Sequence, residues 1–385
     1  MSETRTLLIE GWRFIPHSYA VVNQFQCLEL LRRPGVRLLH RDLPFYRREW
    51  SPINGCLDPH SEALLRAIPA PAPGDRIDAT YRIAFPYDFS PSPAPRTCVF
   101  ATAEFGRVSP GDIVGRRPLA ETLAASNNTA ITASNWSREG FLRSGAAPDR
   151  VVVIPHGIDT PIFHPLSDEQ RQIERQKTGW DRFVFLSVGA MTPNKGISLL
   201  LKAFAAVASR HPRTMLALKG MDALYPSQLL LKEQARNLSP AELSLIQPRV
   251  RYIGGTVPFR QVALLSQMAD AYVAPYYGEG FAMPVLEAIA CGCPVICTAG
   301  GPTDDFTTPD FSLRINSNLE SVPSPDGGVD LVTAPNFDNL LEHMLAVIEQ
   351  PDLRARARLA GPKFAVDNFT WKAAVDRLLA VLFPQ

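Results

Sequence analysis

Two glutamates eight positions apart, in Glu279-Gly-Phe-Ala-Met-Pro-Val-Leu-Glu287, have the types and spacing to act on a phosphorylated ligand. The apolar run Ala271–Ala274 before them reads as a short strand. Pro284 fits the first position of a helix and Gly292 the residue just past its last turn. Glu279 then lies in the loop before the helix and Glu287 about one turn inside it. The first turn of a helix leaves backbone N–H groups without intrahelical partners, and its dipole favours an anion; here those amides belong to Gly280, Phe281 and Ala282. Such a loop suits a sugar nucleotide, with the amides on the diphosphate and the carboxylates on hydroxyls.

Elements that must position this loop follow from length and pattern. A chain of 385 residues is long for one core, so two domains are expected. Lys and Arg number 39 against 38 Asp and Glu, a balance that argues against a nucleic-acid partner and points to a small molecule or glycan. Peripheral contact with a membrane is left open but not indicated; the arginines at 32, 33, 37, 41, 47 and 48 read as a solvated face. The apolar segment at residues 6–10 is too short for a secretory signal, and no run would span a bilayer, so a cytoplasmic location is expected. The six cysteines show no pair-and-pair metal spacing and read as reduced core thiols.

Taken in order, apolar runs at residues 6–10, 36–40, 79–85, 98–101, 130–132 and 151–154 read as strands, with helices at 19–32, 119–125 and 136–142. Residues 41–60 and the proline-rich tracts at 69–74 and 86–95 read as loops. Residues 155–165, with three prolines and a glycine, form the expected hinge. Strands resume at 183–189, 215–218, 250–253, 271–274 and 295–298, the first followed by a loop at 190–196 and a helix at 197–208. Three helical segments, 337–349, 353–368 and 371–382, close the chain. Strands alternating with helices imply parallel sheets, hence an α/β protein of two doubly wound domains.

The strand and hinge at 151–165, the loop Gly189-Ala-Met-Thr-Pro-Asn-Lys-Gly196, the Glu279/Glu287 pair and Gly300-Gly-Pro302 occur in the order seen in retaining GT-B glycosyltransferases, and the chain resembles glycosyltransferase family 4 over roughly residues 125–380. The resemblance implies two Rossmann-like domains facing a central cleft: an acceptor domain at 1–160, a nucleotide-sugar domain at 161–365, and a C-terminal helix at 366–385 packing back across them. It implies that Glu279 sits against the donor sugar and Glu287 holds ribose hydroxyls. Lys195 would bind the diphosphate with the amides of Gly280, Phe281 and Ala282, and the loop of Gly254, Thr256 and Val257 would meet the nucleobase. The family's usual arginine before the lysine is Ala190 here; Lys219, Arg251 or Arg260 would have to compensate.

The implied reaction moves a hexose-like sugar with retention from a nucleoside-diphosphate sugar to a glycan, lipid-linked or small-molecule acceptor hydroxyl, as in polysaccharide biosynthesis. No cofactor or metal is demanded, because the helix N-terminus and Lys195 can neutralise the departing diphosphate. In a front-face scheme a phosphate oxygen takes the acceptor proton; a double displacement through Glu279 or Glu104 ranks second. Acceptor contacts are expected from the loop after the first strand, with Trp12 stacking on a sugar and His17, Ser18 and Tyr19 beside it, and from Glu104 after another strand. His17 and Glu104 join Glu279 and Lys195 as the candidate catalytic groups. His156 reads as a residue shaping the hinge rather than moving protons. Two other classes stand beside transfer: a sugar-nucleotide epimerase or hydrolase of the same shape, and a non-catalytic partner subunit, the latter prompted by Ala190. A dehydrogenase is a poor reading, since Gly11-Trp-Arg-Phe-Ile-Pro stands where the Gly-x-Gly-x-x-Gly turn would be wanted.

Overall fold

A computed structural model describes residues 4–384, which divide into two compact units. Unit 1 holds the chain up to Gly157, the segment Ser321–Leu331 and the chain from Phe369 onward; unit 2 holds Ile158–Glu320 and Val332–Asn368.

In unit 1, β1 (Arg5–Gly11), β2 (Val36–Asp42), β3 (Ala79–Ile83), β4 (Thr97–Phe100), β5 (Thr129–Thr132) and β6 (Val151–Val153) form one parallel sheet in the order β2-β1-β3-β4-β5-β6. Every residue of β3, β4 and β5 is buried, as central parallel strands covered on both faces require. The winding reverses between β1 and β3, which places a crevice at their carboxyl ends.

The last helix, Trp371–Leu382, is part of this unit. Thr370 caps it, and the Trp371 ring stacks on Phe25 with centroids 5.5 Å apart. Gly157 lies so close to the Trp371 backbone that no Cβ would fit. Below this packing, His156 is buried, and loss of water pushes its pKa down to about 3, so it stays neutral. The N-terminal arginines are largely spoken for: Arg33 pairs with Glu29 and Asp376, Arg37 with Asp75, Arg41 with Glu10, Arg47 with Glu49.

In unit 2, β7 (Phe183–Val188), β8 (Thr214–Lys219), β9 (Val250–Ile253), β10 (Ala271–Ala274), β11 (Val295–Thr298) and β12 (Ser312–Ile315) form a second parallel sheet, ordered β12-β11-β10-β7-β8-β9. Counted from β7 as the first strand, that is the 3-2-1-4-5-6 order of a doubly wound sheet, and its switch point lies between β7 and β10. Phe185, Leu200, Phe204, Leu216, Ile296 and Met344 pack its core. A two-stranded ribbon, β13 (Ser317–Pro323) and β14 (Val329–Pro335), follows β12.

Element limits depart from the sequence expectations in places with clear causes. The helix Pro59–Ala67, capped by Asp58, begins at the end of a tract whose lack of period reads as loop. β13 is mostly exposed, so no apolar alternation announces it. The division at residues 160 and 365 contains neither the assignment of Ser321–Leu331 to unit 1 nor the packing of the final helix against that unit's own core. All six cysteines are buried and unbridged, and no helix among the described residues is long and apolar enough to cross a membrane.

Replacing Trp371 with Ala should destabilise unit 1 by about 3 kcal/mol, measured as a lower urea midpoint. An unchanged midpoint would remove the last helix from that unit's core.

Candidate functional site

The site in unit 2 starts with helices that have no side-chain caps. Those opening after β7, β8, β9 and β10, namely Ile197–Arg210, Ser227–Ala235, Phe259–Met268 and Met283–Ala290, all lack a side-chain N-cap hydrogen bond. Elsewhere in the unit Ser167, Ser239 and Asn336 cap their helices. The carboxyl edge of the sheet is thus ringed by helix N-termini without cap side chains, an environment for an anion, although at Ser227–Ala235 the Asp222 carboxylate already accepts from Gln228 N–H at 3.0 Å.

Two loops meet at the switch point. After β7 the chain passes through buried Met191, whose φ is 57°, and the short turn Pro193–Lys195 to Gly196. Gly196 is left-handed, with φ 68°, and presses against the Pro275 carbonyl in the loop after β10 too closely for any side chain. Asn194 stitches the loops: its carbonyl accepts from Tyr277 N–H at 2.7 Å and its side-chain amide donates to the Gly278 carbonyl at 3.0 Å. Thr192 donates to Asn194 Oδ1 at 2.6 Å. With the backbones joined, Lys195 Nζ donates to Glu279 Oε1 at 2.6 Å. Both side chains keep partial exposure. Sequence reading did not find Asn194; its only trace there is a polar residue inside a Pro-x-Lys-Gly turn.

The helix after Glu279 runs Met283–Ala290, with Gly292 left-handed just beyond its cap. Pro284 is its second residue rather than its first. Ala282 holds a left-handed φ of 67° at the N-cap, a strained conformation of the kind that gathers at binding sites. The Phe281 ring is core, 4.8 Å from that of Phe306, so only its backbone faces the loop.

Glu287 rises from a helix whose other faces, Val285, Leu286, Ala288 and Ile289, are buried. Its carboxyl makes no hydrogen bond or ion pair to another described residue. Loss of water pushes its pKa up to about 7. Glu279 and Glu287 both act on Tyr272, whose buried hydroxyl donates to the Val188 carbonyl and whose pKa is raised first by burial and then by these two charges. The two carboxylates therefore converge on one region at the ends of β7 and β10.

Around this centre the remaining donor candidates divide. Gly254 lies under the Asp222 carboxylate, which leaves no room for a Cβ, and Tyr252 donates to Asp222 Oδ1 at 2.6 Å. Thr256 and Val257 are half-buried in the same loop. Lys219 is buried at the end of β8, with Nζ donating to the Gly220 carbonyl, and its own carbonyl accepts from Gly189 N–H at 3.0 Å. Arg251 and Arg260 are exposed, Arg251 donating to the Thr178 carbonyl. Among the described residues no group of three or more His, Cys, Asp or Glu could hold a metal ion.

In unit 1 the loop after β1 corrects two expectations. Trp12 is buried, its Nε1 donates to the Pro44 carbonyl at 2.9 Å, and the rings of His17, Tyr19, Phe45 and Trp50 surround it. It has no face to offer a sugar. Tyr19 is also core: its hydroxyl bonds those of Tyr87 and Thr102 at 2.9 and 3.1 Å. His17 caps the helix Ser18–Leu30 through Nδ1, leaving the half-buried His17 ring and the exposed Ser18 at the rim. Glu104 sits half-buried in the loop after β4, near enough for its charge to raise the Tyr19 pKa further beyond the effect of burial.

Comparison with known proteins agrees with this architecture. Residues 169–364 match the profile of the glycosyl transferases group 1, and the chain belongs to that family. Mannosylfructose-phosphate synthase of Agrobacterium fabrum is 32% identical across 41% of this chain and 34% of that protein. D-inositol 3-phosphate glycosyltransferase 1 of Catenulispora acidiphila is 26% identical across 72% of this chain and 61% of that one. The matches thus span 34% to 61% of these relatives' own length. Among solved structures, Anabaena HepE in complex with UDP and glucose matches with a TM-score of 0.70 over 98% of this chain and 99% of that one, at 15% identity. That likeness is one of fold: two six-stranded parallel α/β units, the GT-B fold.

The raised pKa of Glu287 has a definite pH signature. Because the folded state holds this proton more tightly, its contribution to stability is full below the ordinary value of 4.5 and is lost as pH rises through about 7. In the ligand-free protein, Glu287→Gln should therefore be more stable than the unmodified chain at pH 8, by on the order of 2 kcal/mol, and equal to it near pH 5. Urea midpoints at the two pH values measure this, and a pH-independent difference would contradict it.

Proposed function

We propose that the protein is a retaining glycosyltransferase that takes a sugar from a nucleoside-diphosphate sugar and passes it to an acceptor hydroxyl. The observation that carries this reading is the Lys195–Glu279 pair at the uncapped start of the helix Met283–Ala290, with the unpartnered Glu287 one turn further on. Lys195, the backbone of Gly280 to Ala282 leading into the helix and the buried Lys219 hold the diphosphate; Lys219, beside the loop of Ala190, supplies the cation that position lacks. Glu287, half-protonated near neutrality, both donates to and accepts from ribose hydroxyls. Gly254, Thr256 and Val257 line the base.

In the transfer step the bond from the anomeric carbon to the phosphate oxygen breaks and one to the acceptor oxygen forms. The acceptor proton passes to a phosphate oxygen, and the nucleoside diphosphate leaves. Lys195 and the helix N-terminus stabilise charge on that leaving group. Glu279, its negative charge held beside Lys195, orients the sugar and steadies its positive character in the oxocarbenium-like state. Known complexes of related folds with UDP and UDP-glucose, and a GDP-mannose-dependent mannosyltransferase among the relatives, support a nucleotide sugar as donor. On the acceptor side Glu104, His17 and Ser18 remain as contacts, whereas Trp12 and Tyr19 support them from the core. A non-catalytic partner subunit is the second reading, favoured only by Ala190.

Glu279→Gln should lower turnover about 100-fold while keeping nucleotide affinity, with UDP-glucose and GDP-mannose as trial donors and release of nucleoside diphosphate as the assay. Full activity in that variant would remove Glu279 from the reaction. Glu287→Ala should weaken UDP or GDP binding about 10-fold by calorimetry; unchanged affinity would move the ribose contact elsewhere. If the unmodified chain binds the nucleotides but turns over no donor, the partner-subunit reading stands instead.

A further inference from the structure

The loop of unit 1 that carries Glu104 is held from two sides. Beneath it lies the helix Asn135–Arg143: Trp136 Nε1 donates to the Glu104 carbonyl at 3.1 Å, Arg143 Nε to the Gly106 carbonyl at 2.8 Å, and Ser137 Oγ accepts from Ala103 N–H at 3.1 Å. On the other side lies the ribbon tip, Ser321–Leu331, which belongs to the same unit. Leu331 N–H donates to the Phe105 carbonyl at 2.9 Å. Arg107 donates through Nε to Asp330 at 2.6 Å and through a terminal nitrogen to Asp326 at 2.5 Å, and Ser109 donates to the second oxygen of Asp326 at 2.5 Å. These partners lie more than 200 positions along the chain, separated by 223 and 219 residues for the two arginine bonds.

Surfaces on both sides are cut to fit. Gly106 has a φ of 66°, and a Cβ there would meet Leu331 Cβ at 2.8 Å; a Cβ on Gly328 would meet the Arg107 guanidinium at 2.8 Å. One fork-shaped cation thus bridges two carboxylates on a ribbon tip, over a pair of glycines that permit the approach. The side chains of Arg107 and Asp330 are mostly covered, at 19% and 15% exposure, so this contact is screened less than a surface pair.

We propose that Arg107 is a positioning residue: by gripping Asp326 and Asp330 it ties the ribbon tip to the loop of residues 102–109 and sets where Glu104 stands toward the acceptor. The tip adds no group to the chemistry. It fixes the middle of a loop whose other supports are the helix Asn135–Arg143, the Tyr19 and Tyr87 hydroxyls at Thr102 and the Ser144 hydroxyl at Val108. This inference rests on the reading of Glu104 as an acceptor-side group.

The test removes the same ion pairs from opposite sides, in Arg107→Gln and in the double variant Asp326→Asn/Asp330→Asn, and reads two signals. One is the Trp136 indole N–H peak in a ¹H–¹⁵N spectrum, assigned with Trp136→Phe, which reports the Glu104 carbonyl without any acceptor. The other is transfer from UDP-glucose or GDP-mannose to methyl α-D-glucoside, methyl α-D-mannoside or myo-inositol. Both variants should shift the indole peak and lower acceptor-dependent kcat about 10-fold with the donor KM unchanged. Combining them should cost no more than either alone, and Arg107→Lys should recover part of the loss. An unmoved indole peak overturns the tie itself. A moved peak with full transfer overturns the positioning role. Absence of transfer by the unmodified protein would instead sink the reading of the function, a result kept separate because the indole peak needs no acceptor.

Discussion

Gly196 against the Pro275 carbonyl is the constraint on which the candidate site of unit 2 rests. The two loops that flank the switch point come from strands β7 and β10, far apart in sequence, and each carries one charged group. They come together because one residue has no side chain and adopts a left-handed φ that other residues adopt at a cost of about 1 kcal/mol or more. From that backbone contact follow the Asn194 bonds to Tyr277 and Gly278, and from those the 2.6 Å approach of Lys195 to Glu279. The strain at Met191 and Ala282 is stored in the same two loops.

Each unit spends its polar groups differently at the carboxyl edge of its sheet. In unit 2 the helix starts are uncapped and Glu287 is unpartnered, so hydrogen-bonding capacity is left for a ligand. In unit 1 the corresponding loops close on themselves: His17 caps its helix, Trp12 bonds Pro44, and the hydroxyls of Tyr19, Tyr87 and Thr102 satisfy one another. Unit 1 therefore leaves few polar groups unsatisfied at its edge, whereas unit 2 leaves several.

The sheets were legible because central parallel strands are short, continuous apolar runs, and the donor loop because charged residues stood beside glycines and a helix start. Trp12 shows the limit. A tryptophan after a strand and before polar residues has the pattern of a sugar platform, yet rings from positions 17, 19, 45 and 50 pack around it and leave it buried, and no local pattern reveals the contribution of positions 45 and 50. The ribbon was illegible for a different reason: its first strand is mostly exposed and its tip is held by ion pairs to Arg107 and a hydrogen bond from Ser109, so no apolar alternation marks it.

The placement of the final helix reverses the usual order of maturation during synthesis. Trp371 fills the space beside Phe25 and Gly157 in unit 1, whereas the last segment of unit 2 ends at Asn368. Domains generally complete from the N-terminus as the chain emerges. Here the unit begun first is finished last. The apolar surface around Phe25 and Gly157 therefore stays incompletely covered while some 200 residues of the other unit are made.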